Sequence, residues 1–155
     1  IGIGETTWTK TMEPGGAPGM PLWAIGYCPT LNDLVKIARL IHSEGRIGGE
    51  QILSPSLIGK IFAGGDGEAV STEGRLGDVN CVYFLTFWCM ELENGQDGPR
   101  FAPTMLGYGG NEVILLPNGV SVIRVAKELP PVTHDFSDLA RLGLALAPVA
   151  RTAGG

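Results

Sequence analysis

The sequence is poor in the residues that most metal, redox and nucleic-acid chemistries require. It has two histidines, His42 and His134, which are too few for a histidine-rich metal site. Its three cysteines, Cys28, Cys81 and Cys89, are too few and too far apart for a disulfide framework. The odd count leaves at least one thiol free, and no CxxC pair exists for zinc or thiol exchange. Free thiols tilt the compartment toward the cytoplasm. Lys and Arg number 11 against 16 Asp and Glu, for a net charge of −5, and no basic run occurs anywhere. A nucleic-acid partner held through its phosphates is thereby excluded. The most apolar stretch, Cys81 to Leu92, falls far short of the ~20 residues a membrane span needs. The chain opens Ile1-Gly2-Ile3-Gly4, with neither an initiator Met nor a charged segment before an apolar run. It therefore reads as a sequence without a signal peptide, cut from something longer.

What is present is a folded domain. A length of 155 residues and 44% hydrophobic content suit one domain with a sizeable core. Glycine (24) and proline (11) make up more than a fifth of the residues, well above ordinary usage but short of low complexity. Such a chain has many turns and long loops. Residues 1–28 mix Gly, Pro and Trp without a period and read as an irregular loop. Within it Trp8 and Trp23 either pin the loop to the domain or wall a ligand pocket.

The clearest helix follows. Thr30 is an N-cap and Asp33 supplies a carboxylate to the first turn. Leu34, Ile37, Ala38 and Ile41 then fall on one face, and Gly45 provides the stop. His42, near that end, reads as a surface residue favoured by the helix dipole. Ser54-Pro55 opens a second helix, through Phe62, with Leu57, Ile58, Ile61 and Phe62 as its apolar face. Gly64-Gly65-Asp66-Gly67-Glu68 is a polar loop, and no Lys-Ser or Lys-Thr follows it to make a phosphate cradle. Val79 to Leu92 is rich in strand formers on both alternating faces, which predicts a strand covered on both sides, with Leu85, Phe87 and Trp88 inside the sheet. Asn94-Gly95 and Asp97-Gly98-Pro99 connect onward. Glu112–Leu116 and Val120–Val125 are two strands joined by Pro117-Asn118-Gly119, a strong hairpin signal. A last helix spans about 137–147, with Leu139, Leu142 and Leu146 on one stripe. The class is α+β, an antiparallel sheet of residues 79–125 flanked by the helices of 29–62 and 137–147.

Two segments carry a resemblance. Gly26-Tyr27-Cys28-Pro29-Thr30-Leu31-Asn32-Asp33-Leu34, continuing through Gly45-Arg46-Ile47-Gly48-Gly49 and Leu53-Ser54-Pro55, resembles the helix-and-turn passage of serine β-lactamase-like hydrolases. The match is to the class C β-lactamase, esterase and penicillin-binding-protein-like branch. Leu106-Gly107-Tyr108-Gly109-Gly110-Asn111, followed by strand, Pro-Asn-Gly and strand, resembles that superfamily's third active-site motif, Lys-Thr-Gly or His-x-Gly on an edge strand. The resemblance covers roughly residues 1–125 and implies the C-terminal part of a β-lactamase/transpeptidase-like fold, either as a single domain or as a segment of a larger one.

The resemblance implies roles. Gly109 and Gly110 would let backbone approach a substrate carbonyl closely, since glycine has no Cβ. Asn111 N–H would be one of two donors to the oxyanion, and Tyr108 would take the Lys or His position. Tyrosine brings no charge to pair with a substrate carboxylate, which turns the expected substrate from β-lactams toward esters and amides. The nucleophile motif Ser-x-x-Lys is missing: none of Ser43, Ser54, Ser56, Ser71, Ser121 or Ser137 has Lys three residues later. None of Tyr27, Tyr83 and Tyr108 has Asn two residues on, so the second motif is missing as well. The expectation is a chain that is not an enzyme by itself but works with the N-terminal part of the same protein. No metal and no organic cofactor are called for. A non-catalytic binding or structural domain that keeps the same sheet is the alternative.

Overall fold

The computed structural model describes residues 7–8, 10–21, 27–71, 79–95, 98–107, 110–126 and 136–146. Short antiparallel pieces come first. β1 (Thr7–Trp8) pairs with β4 (Tyr27–Cys28), and between them β2 (Lys10–Met12) pairs with β3 (Pro18–Pro21). Gly15 and Gly16 turn the latter hairpin at positive φ. The described parts of 1–28 are therefore paired strand rather than irregular loop; the strands are too short to show a period.

Helix α1 (Leu31–His42) starts where its cap chemistry says it should. Thr30 Oγ1 accepts the Asp33 N–H at 3.2 Å, and Asp33 Oδ2 accepts the Thr30 N–H at 3.2 Å and hydroxyl at 2.8 Å. This reciprocal box satisfies two otherwise orphaned donors and lets Asp33 be buried. The helix ends in a Schellman motif, in which the Gly45 N–H reaches Leu40 O and the Glu44 N–H reaches Ile41 O. The left-handed residue just past the cap is Glu44, at φ +53°, with Gly45 one step later. Gly45 is required because a Cβ there would collide with Leu53, whose N–H bonds the Gly45 carbonyl.

Gly48 and Gly49 then turn the small hairpin of β5 (Arg46–Ile47) and β6 (Glu50–Gln51). Helix α2 (Pro55–Phe62) follows, with proline at its first position.

The core is a six-stranded antiparallel meander, β7 (Glu68–Val70), β8 (Cys81–Phe84), β9 (Phe87–Gly95), β10 (Gly98–Gly107), β11 (Asn111–Leu115) and β12 (Ser121–Arg124), each strand beside its sequence neighbours. Ala38, Ile41, Ile58 and Ile61 of α1 and α2 pack with Val113 and Leu115 on one face. On the other, Phe136 and Ala140 of α3 (Phe136–Leu144) pack with Cys81, Met90, Ala102, Ile114 and Leu116. The α+β class holds, and both sheet faces are covered. Among the described residues no helix is long and apolar enough to cross a membrane.

Three expectations change. The run Val79–Leu92 is two strands, because Leu85 and Thr86 form a tight turn; Leu85 is 47% exposed rather than inside the sheet. Strand β10, of which Gly98-Pro99 is expected as connection and Leu106-Gly107 as part of an edge-strand motif, lies in the middle of the sheet. Its Pro99 and Pro103 argue against a strand in sequence. Yet Pro103 pairs with Cys89 of β9 and pairing to β11 begins only at Thr104, so its missing N–H falls where that second ladder stops. In α3 the buried line is Phe136, Ala140 and Gly143, while Leu142 and Leu146 are exposed. Small residues win because α3 lies close on the sheet: a Cβ on Gly143 would strike Leu116 and come within 2.8 Å of Val122.

The β11–β12 turn also holds α3. Asn118 Nδ2 donates to the Gly143 and Leu146 carbonyls at 3.1 and 3.2 Å, while its Oδ1 accepts the Val120 N–H. One side chain thus closes a hairpin and caps a helix C-terminus.

Ile41→Ala should cost about 2–5 kcal/mol in urea unfolding, whereas Leu142→Ala should stay within about 0.5 kcal/mol. Gly143→Ala should destabilise by about 1–3 kcal/mol through overpacking, although alanine is the better helix former. A gain in stability would mean that α3 does not lie this close to Leu116.

Candidate functional site

Gly107 and Asn111 face each other across the β10–β11 hairpin, and a Cβ on Gly107 would sit 3.1 Å from that of Asn111. Gly110, buried and at φ +83°, turns the chain into β11. An L-residue there would be strained, so this glycine is needed for the turn itself. The Asn111 side chain is committed locally: its Oδ1 accepts the Ala126 N–H at 3.0 Å, tying the start of β11 to the chain just beyond β12. That bond orients the Asn111 side chain.

The motif sits at the tip between two interior strands. The sheet edges are β7 and β12, so the motif does not lie on an edge strand, as the resemblance implies, but at the end of the sheet. Tyr108, Gly109 and Trp23 lie outside the described residues, as does the Trp8 side chain; the Trp8 backbone pairs with Tyr27. Of the expected site residues, the structure therefore brings together Gly110 and Asn111.

Sequence reading passed over the next residue. Glu112 is 1% exposed on the α3 face, and its cross-strand partner is Arg124. Carboxylates are almost never fully buried unless paired, so a charge opposite it in register has a physical reason to be there. The signal available was one acidic residue starting an otherwise apolar strand. His42 also differs from expectation. It is half-buried, its Nε2 lies 2.9 Å from Ser121 Oγ, and its ring is 5.9 Å from that of Phe62. It joins α1 to β12 rather than facing solvent.

Two of the three thiols are shielded by their surroundings. None of the three forms a disulfide, and only Cys28 is exposed. Burial, with a smaller contribution from the nearby Cys89, pushes the Cys81 thiol from an ordinary 9.0 up to about 11, and burial alone takes Cys89 to about 11. The Cys89 Sγ–H donates to the Ile61 carbonyl at 3.4 Å, from β9 to α2. Among the described residues no group of His, Cys, Asp and Glu could hold a metal ion.

No protein-family model, curated protein or solved structure matches this chain.

Iodoacetamide at pH 8 should alkylate Cys28 and spare Cys81 and Cys89 until urea unfolds the chain, since the thiolate is the reactive form. Between about pH 9 and 11 the unfolded thiols ionise while the folded ones stay protonated. The unfolded state then binds fewer protons, so stability falls as pH rises through this window. Urea midpoints at pH 8 and 10.5 should show a steeper fall than in a Cys81→Ala/Cys89→Ala double variant; equal slopes would refute the buried-thiol account.

Proposed function

We propose that this chain is the C-terminal part of a serine hydrolase resembling class C β-lactamases and their esterase relatives. It would act on ester, amide or β-lactam bonds through an acyl-enzyme. The observation that carries the reading is an ordered set of features: a capped helix, a glycine turn and a Pro-started helix on one face of an antiparallel sheet, then the Gly107–Asn111 hairpin at its end. In this reading the Ser-x-x-Lys nucleophile lies outside the chain, where the lysine would take the serine proton as the hydroxyl attacks the carbonyl. Asn111 N–H would stabilise the developing oxyanion together with the nucleophile's own N–H. Tyr108 would take the Lys or His position without supplying charge. Water would then hydrolyse the acyl-enzyme.

A second reading has its own support. The motif lies between interior strands, and tyrosine stands where the family has lysine or histidine. Both favour a non-catalytic binding or structural domain that keeps a β-lactamase-like sheet.

Fluorophosphonate labelling followed by peptide mass spectrometry separates the two. The chain alone should acquire no label, and the whole protein should be labelled on a serine in an upstream Ser-x-x-Lys. A label on a serine of this chain would overturn the proposal, and a whole protein that resists labelling would favour the binding domain. In the whole protein, Asn111→Ala should keep most of the turnover of activated esters. Asn111→Pro, once shown to fold by circular dichroism and melting, should lose about 10²–10³-fold in kcat. Equal rates in the two would remove Asn111 from the oxyanion site.

A further inference from the structure

The β8–β9 hairpin is built against its own residue types. Phe84 pairs with Phe87, so Leu85 and Thr86 alone make the turn, and both hold positive φ, +47° and +70°. Positive φ at both central positions is the type I′ pattern, which asparagine and glycine adopt cheaply. For leucine it is strained, and for β-branched threonine it is a true outlier. The chain also shows the relaxed solution: Gly48 and Gly49 fill the β5–β6 turn at φ +56° and +84°.

Core packing does not account for the exchange, because Leu85 is 47% exposed and Thr86 is exposed too. The strain is tolerated because the surroundings hold the turn. Tyr83 and Trp88 meet edge to face at 5.2 Å, and Phe84 and Phe87 pack against the α1–α2 cluster. Behind them the Gly65 backbone lies so close to the Phe84 ring that a Cβ would come to 2.6 Å. Strain kept in place by over-determined surroundings is a mark of functional segments.

Successive turns of an antiparallel meander alternate between its two ends, so the β8–β9 and β10–β11 turns share one end. Trp88 pairs with Thr104, and from that pair Leu85 and Gly107 lie the same number of residues toward this end. An exposed leucine flanked by Tyr83, itself 42% exposed, thus stands at the sheet end that carries Gly107 and Asn111.

We propose that the Leu85–Thr86 turn is the apolar recognition element of that site, contacting the hydrocarbon part of an ester or amide whose carbonyl lies at Gly107–Asn111. The proposal rests on the hydrolase reading for the carbonyl's position. It also predicts a trade of stability against binding, because relaxed turn residues at 85 and 86 would remove the contact surface.

The test uses this chain with two inert amides, octanamide and acetamide, followed by methyl and amide NMR. Octanamide should shift the Leu85 methyls and the Gly107 and Asn111 amides saturably, and bind more tightly than acetamide. The Leu85→Asn/Thr86→Gly variant should melt at a higher temperature. It should bind octanamide at least about tenfold more weakly and acetamide as before. Shifts at Gly107 and Asn111 with Leu85 silent would overturn the proposal while leaving the placement of the carbonyl. Shifts at Leu85 alone would overturn it too, since the turn would then belong to another site. Unchanged octanamide affinity in the variant, or a lower melting temperature, would show that the two residues serve the fold. Silence at both places would remove both the turn and the carbonyl site. The hydrolase reading itself is tested independently, by the serine label on the whole protein.

Discussion

Everything in this fold depends on a sheet whose central strands are apolar on both faces. Cys89 and Met90 are adjacent, point to opposite sides and are both fully buried. Val113 and Ile114 repeat the arrangement on β11. A strand of this kind cannot leave one face in water, since burying each such side chain is worth about 1.5–3 kcal/mol. Helices must therefore cover both sides. α1 and α2 take one face through Ala38, Ile41, Ile58 and Ile61, and α3 takes the other through Phe136 and Ala140.

Close approach is the second constraint, and glycine meets it at a few places. Gly143 lets α3 settle onto Leu116 and Val122, and Gly45 lets α1 turn back under Leu53. The polar groups that remain are spent on holding elements together. Asn118 links the β11–β12 turn to the end of α3, His42 links α1 to β12, and Asn111 links β11 to Ala126. These ties join separate elements, and those of Asn118 and Asn111 partner backbone groups at or beyond the ends of a helix and a strand.

The residues proposed to carry the chemistry collect at one end of the sheet. Gly107, Gly110 and Asn111 shape one hairpin there, and the Leu85–Thr86 turn stands at the same end. Buried Glu112 and its cross-strand partner Arg124 lie just behind the first hairpin. A rigid, doubly covered sheet is a good platform for such turns, because the strands set the spacing and the turns are free to vary.

The sequence by itself determined the local structure. The Thr30–Asp33 box, the Ser54-Pro55 start and the Pro117-Asn118-Gly119 turn are each written within a few residues, because capping and turn chemistry act over one helical turn or one hairpin. The apolar periods of α1 and β11 were legible for the same reason. Tertiary structure decided the rest. Leu85-Thr86 carries no turn signal, so the break between β8 and β9 exists only because the aromatic pairs on either side hold it. Pro103 disqualifies β10 locally and is accepted because the β11 ladder begins one residue later. The face of α3 was misread because leucine is the more apolar residue. The sheet selected the line of Ala140 and Gly143 instead, since the space left above Leu116 admits no larger side chain. Periodicity records which residues avoid water, whereas close packing depends on the shape of the partner surface, and that surface is assembled from segments distant in the chain.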